Sequence, residues 1–238
     1  CNPWLSRDRN YDKGFDYYNI KIFDGISNLD AQQILNNCYT VPALSDYCQY
    51  IERNADGLIM GIDQSLRNMG EIETSGMDFT FNMGFPLFQN IRGNLGFQGN
   101  YLIEVKEWSP DDLAADPEAG VTHYEGEIEP MGSSNPQFRF IAHIGIGDAR
   151  WQFNNRLRYI DEMHIFGVDS APYTNVDSII YWDMSASLVL GDFQFILGCD
   201  NVLDTDPPYF PGTGYNAHPQ TYDFIGRYIW TKIGYTFH

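Results

Sequence analysis

Apolar and polar residues alternate with a period of two through most of the chain, which is the pattern of β-strands with two different faces. The clearest stretch, DMSASLVLGDFQFILGCDN, spans residues 183–201. Met184 and Leu188 fall on one of its faces, and Ser185 and Ser187 fall on the other. A Gly-Asp pair interrupts the alternation for two residues, after which it resumes. The stretch therefore predicts a β-hairpin closed by a two-residue turn.

The same alternation rule predicts eight strands in the 238-residue chain. They cover residues 15–26, 66–85, 91–107, 135–147, 149–163, 177–190, 192–203 and 220–237. Two further tight turns are predicted at Gly147–Asp148 and, slightly longer, from Pro86 to Asn90. Several strands exceed the five or six residues that are usual in globular proteins. They reach the roughly 9–11 residues that a tilted membrane-spanning strand needs.

Short and long connections alternate strictly along the chain. The long ones are rich in turn-forming residues and cover 27–65, 108–134, 164–176 and 204–219. In the first, SNLDAQQILNN predicts a short helix, with Ser27 as N-cap and Asp30 completing a capping box. Tight turns at one end of a sheet and long loops at the other are typical of outer-membrane β-barrels. We therefore predict an all-β fold, an antiparallel transmembrane β-barrel segment with short periplasmic turns and long extracellular loops.

The last predicted strand has one face that suits lipid. This face carries Ile229, Ile233, Tyr235 and Phe237. The opposite face carries Trp230 and Lys232, which suit a barrel lumen. A terminal aromatic residue fits an aromatic girdle at the periplasmic rim. Because an open sheet edge in lipid leaves backbone groups unsatisfied, we predict that this strand closes the barrel.

Charge excludes several partners. Asp and Glu outnumber Lys and Arg by 32 to 14, which gives a net charge of −18. Nucleic acid is excluded because phosphate binding needs clustered cations. Peripheral binding to anionic lipid is disfavoured for the same reason. No apolar run reaches the length of a membrane-spanning helix.

The cysteines indicate an oxidising compartment. Cys38 and Cys48 lie ten residues apart across a Pro-containing loop, which suggests a local disulfide. The alternative of a zinc site is weak, because no CxxC motif or nearby His pair supplies further ligands. Cys199 lies on an alternating strand and is interpreted as a small apolar filler. Cys1 is interpreted as the start of a fragment, the alternative being a lipid-modified terminus.

No catalytic motif is found, and we predict that the chain is not an enzyme and has no cofactor or metal site. HExxH, GxSxG and phosphate-loop patterns are absent from the sequence. His143 alternates with apolar neighbours on a strand, so it is interpreted as a lumen or packing residue.

The predicted ligand-facing loop lies in the second long connection, and its candidate residues are Trp108, Asp111, Asp112, Asp116, Glu118 and Tyr124. Its carboxylates could hold a divalent cation, but the spacing is not an EF-hand, and a solvated outer loop is favoured. The two aromatic residues could stack on sugars or anchor the membrane interface. The loop at 204–219 holds four prolines and is interpreted as a rigid loop at the barrel mouth.

Four segments carry a resemblance to TonB-dependent outer-membrane receptors. They are DYYNIKIFDGI (Asp16–Ile26), NMGEIETSGMDFTF (Asn68–Phe81), NVLDTDPPYFPG (Asn201–Gly212) and YDFIGRYIWTKIGYTF (Tyr222–Phe237). Their order along the chain also resembles that of the family, and the paired-cysteine loop is similar to that of a large subgroup.

The resemblance implies a 22-stranded barrel with an N-terminal plug and a TonB box, neither of which is present here. Residues 1–238 are then expected to be the C-terminal part of such a barrel, in the outer membrane of a Gram-negative cell. The implied function is TonB-energised uptake of a scarce bulky nutrient such as a siderophore or oligosaccharide, with a lean toward carbohydrate. The implied partners are outer-membrane lipid, the TonB system through the missing part, and that substrate.

Two alternatives from other classes stay open. The first is a self-contained eight-stranded barrel with an adhesin or structural role, which requires strand 15–26 to pair with strand 220–237. The second is a secreted β-sandwich that binds glycans, which the lipid-suited face of the last strand argues against.

Overall fold

The structure, a computed structural model, describes residues 10–27, 31–40, 47–68, 71–108, 121–129, 132–168, 172–211 and 216–237. Its elements in chain order are β1 (Asn10–Ile22), β2 (Ile26–Ser27), α1 (Ala31–Thr40), β3 (Ile51–Arg53), β4 (Ile59–Ile62), β5 (Arg67–Asn68), β6 (Glu71–Pro86), β7 (Arg92–Trp108), β8 (Val121–His123), β9 (Glu127–Ile128), β10 (Phe138–Gly147), β11 (Trp151–Ile160), β12 (Met163–Ile165), β13 (Asn175–Val176), β14 (Ile179–Leu190), β15 (Phe193–Asp200) and β16 (Tyr228–Tyr235).

The eight long strands form one antiparallel sheet in the order β1-β6-β7-β10-β11-β14-β15-β16, with the short β8 beside β7. Each long strand is therefore a neighbour of the next long strand in the chain. All eight predicted strands are confirmed, and so is the alternation of short and long connections. Because the strands are antiparallel and sequential, the long connections all leave the same end of the sheet.

Several strand boundaries differ from the prediction, with the largest shifts in β1, β6 and β16. β6 begins at Glu71 instead of residue 66, and Arg67–Asn68 form the separate strand β5, which pairs with β2. β1 begins at Asn10 instead of residue 15. β16 begins at Tyr228, and residues 220–227 belong to the preceding connection. The backbone N–H of Arg227 donates to Asp204 Oδ1 (2.6 Å), and its Nε donates to the carbonyl of Val202 (2.9 Å). These bonds hold the chain in the connection until Tyr228.

The tight turn after β14 is confirmed, and the turn after β10 is one residue longer than predicted. Leu190 pairs with Phe193 across a two-residue loop, and Gly191 has φ 59°, as a type II′ turn requires at its first central position. The Gly147–Asp148 prediction is wrong, because Gly147 is still a strand residue. The Asp148 carboxylate accepts hydrogen bonds from the N–H groups of Arg150 (2.7 Å) and Trp151 (2.9 Å), which extends the turn.

The predicted helix is present, but its predicted N-cap is wrong. α1 starts at Ala31, whereas Ser27 lies in β2 and pairs with Arg67 of β5, so Ser27 is not the N-cap. The backbone of Ser27 takes part in the β2–β5 pairing, so Ser27 does not begin the helix as predicted. Asp30, the other half of the predicted capping box, lies outside the described residues.

The contacts divide the chain into two units, which are described separately. The first consists of Cys1–Tyr18, Gly76–Ile103 and Glu125–His238, and the second of Asn19–Ser75 and Glu104–Tyr124. The core of the first unit lies among its long connections and the adjoining strand ends, and its buried members are Ile128, Met163, Ile165, Val176, Ile179, Tyr181, Phe210 and Tyr222. The second unit holds a smaller core around Ile34 and Ile51, beside a disulfide that joins Cys38 to Cys48.

Candidate functional site: the polar face of the sheet

The strand register separates the sheet into a polar and an apolar face. Arg158 of β11 lies between Ile141 of β10 and Tyr181 of β14, and Arg156 lies between His143 and Asp183. Because side chains alternate along each strand, these residues point to one side. We call this side the polar face. It is defined by Arg139, His143, Asn154, Arg156, Arg158, Asp183, Ser185 and Ser187.

The opposite side, the apolar face, carries most of the large exposed hydrophobic side chains. In the three central strands these are Ile144, Leu157, Ile180, Leu188 and Leu190, whereas Ile141 lies on the polar face beside Arg158. The predicted lipid-facing residues of the last strand lie on the same face, since Ile229, Ile233 and Tyr235 pair with Cys199, Phe195 and Phe193 of β15. Ile229 is 67% exposed, Ile233 65% and Phe237 87%. Their role in closing the barrel stays a prediction.

Two aromatic clusters occupy opposite ends of the apolar face. The outer aromatic cluster, near the long connections, consists of Phe97, Phe138, Phe140 and Tyr159, with the rings of Phe140 and Tyr159 stacked 5.2 Å apart. The turn-end aromatic cluster consists of Phe193, Phe195, Tyr235 and Phe237, with the ring of Tyr235 4.9 Å from that of Phe193. The face between them holds aliphatic side chains together with Phe153, Trp182 and Asn155, whose side-chain oxygen accepts a hydrogen bond from the Trp182 indole (3.2 Å).

A buried carboxylate organises the outer part of the polar face. The side chain of Asp183 is 5% exposed, and its Oδ2 accepts hydrogen bonds from Nε of Arg156 and Nε of Arg158, both at 2.9 Å. Its Oδ1 accepts from the backbone N–H of Asn201 (2.9 Å). Arg158 also donates to Asp223 at 2.6 Å. A buried carboxylate is costly unless it is hydrogen-bonded and paired with opposite charge. These bonds supply both, and they hold the side chains of both arginines in place.

The same network anchors the last long connection, residues 201–227, to the sheet. Asn201 and Asp223 approach Asp183 and Arg158 from this connection, and Asp223 N–H donates to the Tyr181 hydroxyl (3.2 Å). Asn201 then holds Thr205 by two side-chain bonds of 2.9 Å. Asn201 has positive φ (50°), a conformation that asparagine tolerates better than most residues. The NVLDT sequence is therefore a locally bonded turn.

A buried histidine joins this connection to Glu129 and Ser134, which lie between β9 and β10. His218 is 2% exposed, and its Nδ1 lies 2.8 Å from the hydroxyl of Thr221, which donates to Ser134 (2.7 Å). The imidazole also bonds to the backbone of Glu129. Burial lowers the pKa of His218 because the charged imidazolium would lose its hydration. Burial raises the pKa of the neighbouring Tyr222 hydroxyl.

A groove of about 640 Å³ opens on the polar face within the first unit. Its size falls in the range of small-molecule sites. The polar side chains that line it are Asp16, Asp78, Thr80, Gln98, Asn100, Arg139, Arg158 and Tyr181. A second cavity of about 350 Å³ lies nearer the short turns and includes Asn94 and His143. The imidazole of His143 lies over Gly96, where a Cβ would come within 1.9 Å of it, so this histidine packs against the sheet.

The predicted ligand-facing loop is only partly described. Trp108 ends β7, pairs with Val121 of β8, and has the Lys21 ammonium 5.3 Å from its ring centroid. The Tyr124 N–H donates to the Val105 carbonyl (2.9 Å). The four acidic candidates, Asp111, Asp112, Asp116 and Glu118, lie outside the described residues. The role of this loop in ligand binding stays a prediction.

The described residues contain neither a metal-binding cluster nor a membrane-spanning helix. These ranges hold no group of three or more His, Cys, Asp or Glu side chains that could bind a metal ion. Among the same residues, no helix is both long enough and apolar enough to cross a membrane.

The groove residues were not singled out by sequence reasoning. Asp16, Asp78 and Arg139 carry no motif, and each reads as one polar position in an alternating strand. The register of the β10–β11 hairpin would have placed Arg139 diagonally beside Arg158, and this is the signal in the sequence that could have identified the pair. Contact with β6 and β7 could not be derived from that hairpin alone.

Two solved transporters have a similar fold. One is the FrpB iron transporter from Neisseria meningitidis (F3-3 variant), with a TM-score of 0.52 and 11% identity over 94% of this chain. The other is the outer membrane transporter YddB from Escherichia coli, with a TM-score of 0.56 and 13% identity over 96% of this chain. The chain spans 29% and 30% of those two proteins. No family model matches the chain, and no curated protein matches its sequence. The sheet therefore has the fold of a segment of an outer-membrane transporter barrel.

Proposed function

We propose that the chain is the C-terminal barrel part of an outer-membrane receptor that takes up a scarce, bulky nutrient with energy supplied through TonB. The apolar face turns toward lipid, and the polar face lines the lumen through which the nutrient passes. The TonB contact and the plug that the family resemblance implies belong to a part of the receptor outside these residues.

The observation that carries the proposal is the apolar face bounded by two aromatic clusters. On β14, ten residues separate Leu190, beside the turn-end cluster, from Ile180, the partner of Tyr159 in the outer cluster. At about 3.3 Å per residue and a tilt of about 40°, these ten residues rise roughly 25 Å. This matches the apolar band of outer-membrane barrels, which is about 25 Å tall and flanked by aromatic girdles.

The fold comparisons support the same proposal, because both neighbours are described as transporters and the match covers nearly all of this chain. The substrate is proposed to be a siderophore, an oligosaccharide or a solute of similar size. The long outer connections, with their buried core and anchored last segment, would form the entrance that selects it.

Growth and uptake assays in the native bacterium test the proposal. Deleting the receptor gene should reduce growth on one limiting nutrient, and deleting tonB should reduce it to the same extent. The receptor should fractionate with the outer membrane. A growth defect that is independent of TonB would contradict the proposal. An intact receptor mass near 27.3 kDa would instead support the self-contained eight-stranded barrel.

A further inference from the structure

A row of charged and polar groups crosses the polar face from β1 to β11. The rings of Phe15 and Phe79 meet on one side of β1 and β6, 5.3 Å apart. The next residues on the other side, Asp16 and Asp78, line the groove together with Asn100 and Arg139. Acidic groups therefore occupy the β1–β6 side of the groove, and guanidinium groups occupy the β10–β11 side.

The acidic side is held in place by Asn100. Its Nδ2 donates to Asp78 Oδ1 (2.8 Å) and lies 3.1 Å from the hydroxyl of Tyr18. The amide nitrogen is thereby turned toward Asp78. The side chain of Asp16, which lines the same groove, makes no hydrogen bond or ion pair within the described part of the chain.

The basic side contains one satisfied and one unsatisfied guanidinium. Arg158 is bonded to both Asp183 and Asp223. The side chain of Arg139 is exposed to the groove and makes no hydrogen bond or ion pair with any described residue. The strand register explains this. Arg139 lies beside Asn100 of β7 and Ile160 of β11, and neither of these residues carries a charge.

The opposite charges are not paired with each other in the structure. Asp78 and Arg139 lie on strands separated by β7, and no hydrogen bond or ion pair joins their side chains. The groove of about 640 Å³ occupies the space over this interval. An unpaired guanidinium offers several donors in a fixed plane, which is the geometry that binds a carboxylate by two parallel hydrogen bonds.

We propose that the groove binds a ligand carboxylate at Arg139, while Asp16 and Asp78 accept hydrogen bonds from hydroxyl or ammonium groups at the ligand's other end. The proposal deepens and rests on the proposed uptake function, for which it names an acidic substrate class. Two sources share this chemistry, an acidic oligosaccharide and a short peptide with free termini. Neutral sugars lack the group that Arg139 recognises.

Calorimetry on the purified full-length receptor tests the proposal with two carboxylate probes and their neutral counterparts. The probes are tri-galacturonate and Gly-Gly-Gly, and the counterparts are the methyl ester of the first and the C-terminal amide of the second. At least one carboxylate probe should bind, and its neutral counterpart should bind at least tenfold more weakly. The tighter carboxylate probe identifies the source.

Substitutions assign the effect to Arg139. Arg139→Gln should weaken binding of the carboxylate probe at least tenfold, and Arg139→Lys should restore part of it, because a point charge replaces a bidentate fork. Arg150→Gln, an exposed arginine in the β10–β11 turn, is the matched control and should bind like the unmodified receptor. Since Arg139 has no described partner, its replacement should leave the fold intact, which thermal unfolding checks.

Three results would overturn the proposal: no binding of either carboxylate probe, equal binding of probe and neutral counterpart, or equal binding by Arg139→Gln. The uptake assay in cells is read separately. Arg139-dependent binding without TonB-dependent uptake would remove the proposed function and leave the carboxylate site. TonB-dependent uptake without Arg139-dependent binding would remove the carboxylate site alone.

Discussion

The first and last long connections of the chain are ordered by different chemistry. The first, residues 23–70, carries helix α1, the Cys38–Cys48 disulfide and a small core around Ile34 and Ile51. The last, residues 201–227, is ordered by bonds to strands β11 and β14 and by burial of Phe210 and Tyr222 against them. A connection can therefore be stabilised by itself or by the sheet, and a perturbation of one mechanism should leave the other unaffected.

The largest effect is expected from Asp183→Asn. The substitution removes the charge that compensates Arg156 and Arg158 and weakens the bond to Asn201. Because Arg156 and Arg158 are partly exposed and Arg158 keeps Asp223, the cost is that of lost hydrogen bonds to a charged group, about 1.5–3 kcal/mol, so the last connection should open more often. Limited proteolysis of the full-length receptor should show at least tenfold faster cleavage within 201–227 and unchanged cleavage within 23–70.

Asp177→Asn is the matched control, because Asp177 is exposed just before β14 and outside this network. It should leave both cleavage rates unchanged. Equal protection of residues 201–227 in Asp183→Asn and the unmodified receptor would show that the network does not anchor the connection.

The next effect, of similar size, is expected when the first connection is perturbed instead of the last. Reducing the Cys38–Cys48 disulfide releases a loop closed over ten residues, which is worth about 3 kcal/mol in the chain-entropy account. Reductant should speed cleavage within 23–70 and leave 201–227 protected. A Cys199→Ser variant, which keeps the disulfide, should respond to reductant in the same way. Opening of both connections on reduction would contradict their independence.

A smaller, pH-dependent effect is expected at His218. Its pKa is lowered in the folded connection, so the unfolded connection binds the proton more readily. The contribution of neutral His218 is therefore fully present above the unfolded pKa of about 6.5 and is lost as pH falls through the folded value. The groups facing the imidazole are Thr221, Ser134, the Phe210 ring and the Glu129 backbone, and none of these is a charged side chain.

Cleavage within 201–227 should rise by about two- to fivefold between pH 7.5 and pH 5.5. His218→Asn should abolish this change, although its baseline cleavage is higher. His164→Gln tests the nearby histidine, whose Nδ1 lies 3.9 Å from Glu127, and should keep the pH response. If cleavage within 201–227 still rises at low pH in His218→Asn, then His218 is not the source of the pH dependence.

The sheet was predictable because its information is local. Strict alternation along 183–201 is enough to define two strands, their faces and the turn at Gly191. Two of the errors arose where a side chain bonds to the backbone. Asp148 extends the β10–β11 turn, and Asp204 delays the start of β16, and neither effect follows from periodicity.

The site was less predictable because it depends on contacts between distant segments. Asp183 is hydrogen-bonded to Arg158, 25 residues away in the sequence, and to Asn201, 18 residues away. Asp223 is hydrogen-bonded to Arg158, 65 residues away in the sequence. Each is an ordinary polar position in the sequence. Only the strand order brings Asp78, Asn100 and Arg139 into one groove and shows that Arg139 has no partner among the described residues.

The central claim is that the apolar face contacts lipid and the polar face lines the lumen. Site-directed spin labelling along β14 tests it most directly, with single cysteines at Ser185, Ala186, Ser187 and Leu188 of the full-length receptor in a Cys199→Ser background. In bilayers, labels at 186 and 188 should be accessible to oxygen dissolved in lipid, and labels at 185 and 187 should not. Equal accessibility at all four positions, or the opposite alternation, would contradict the account.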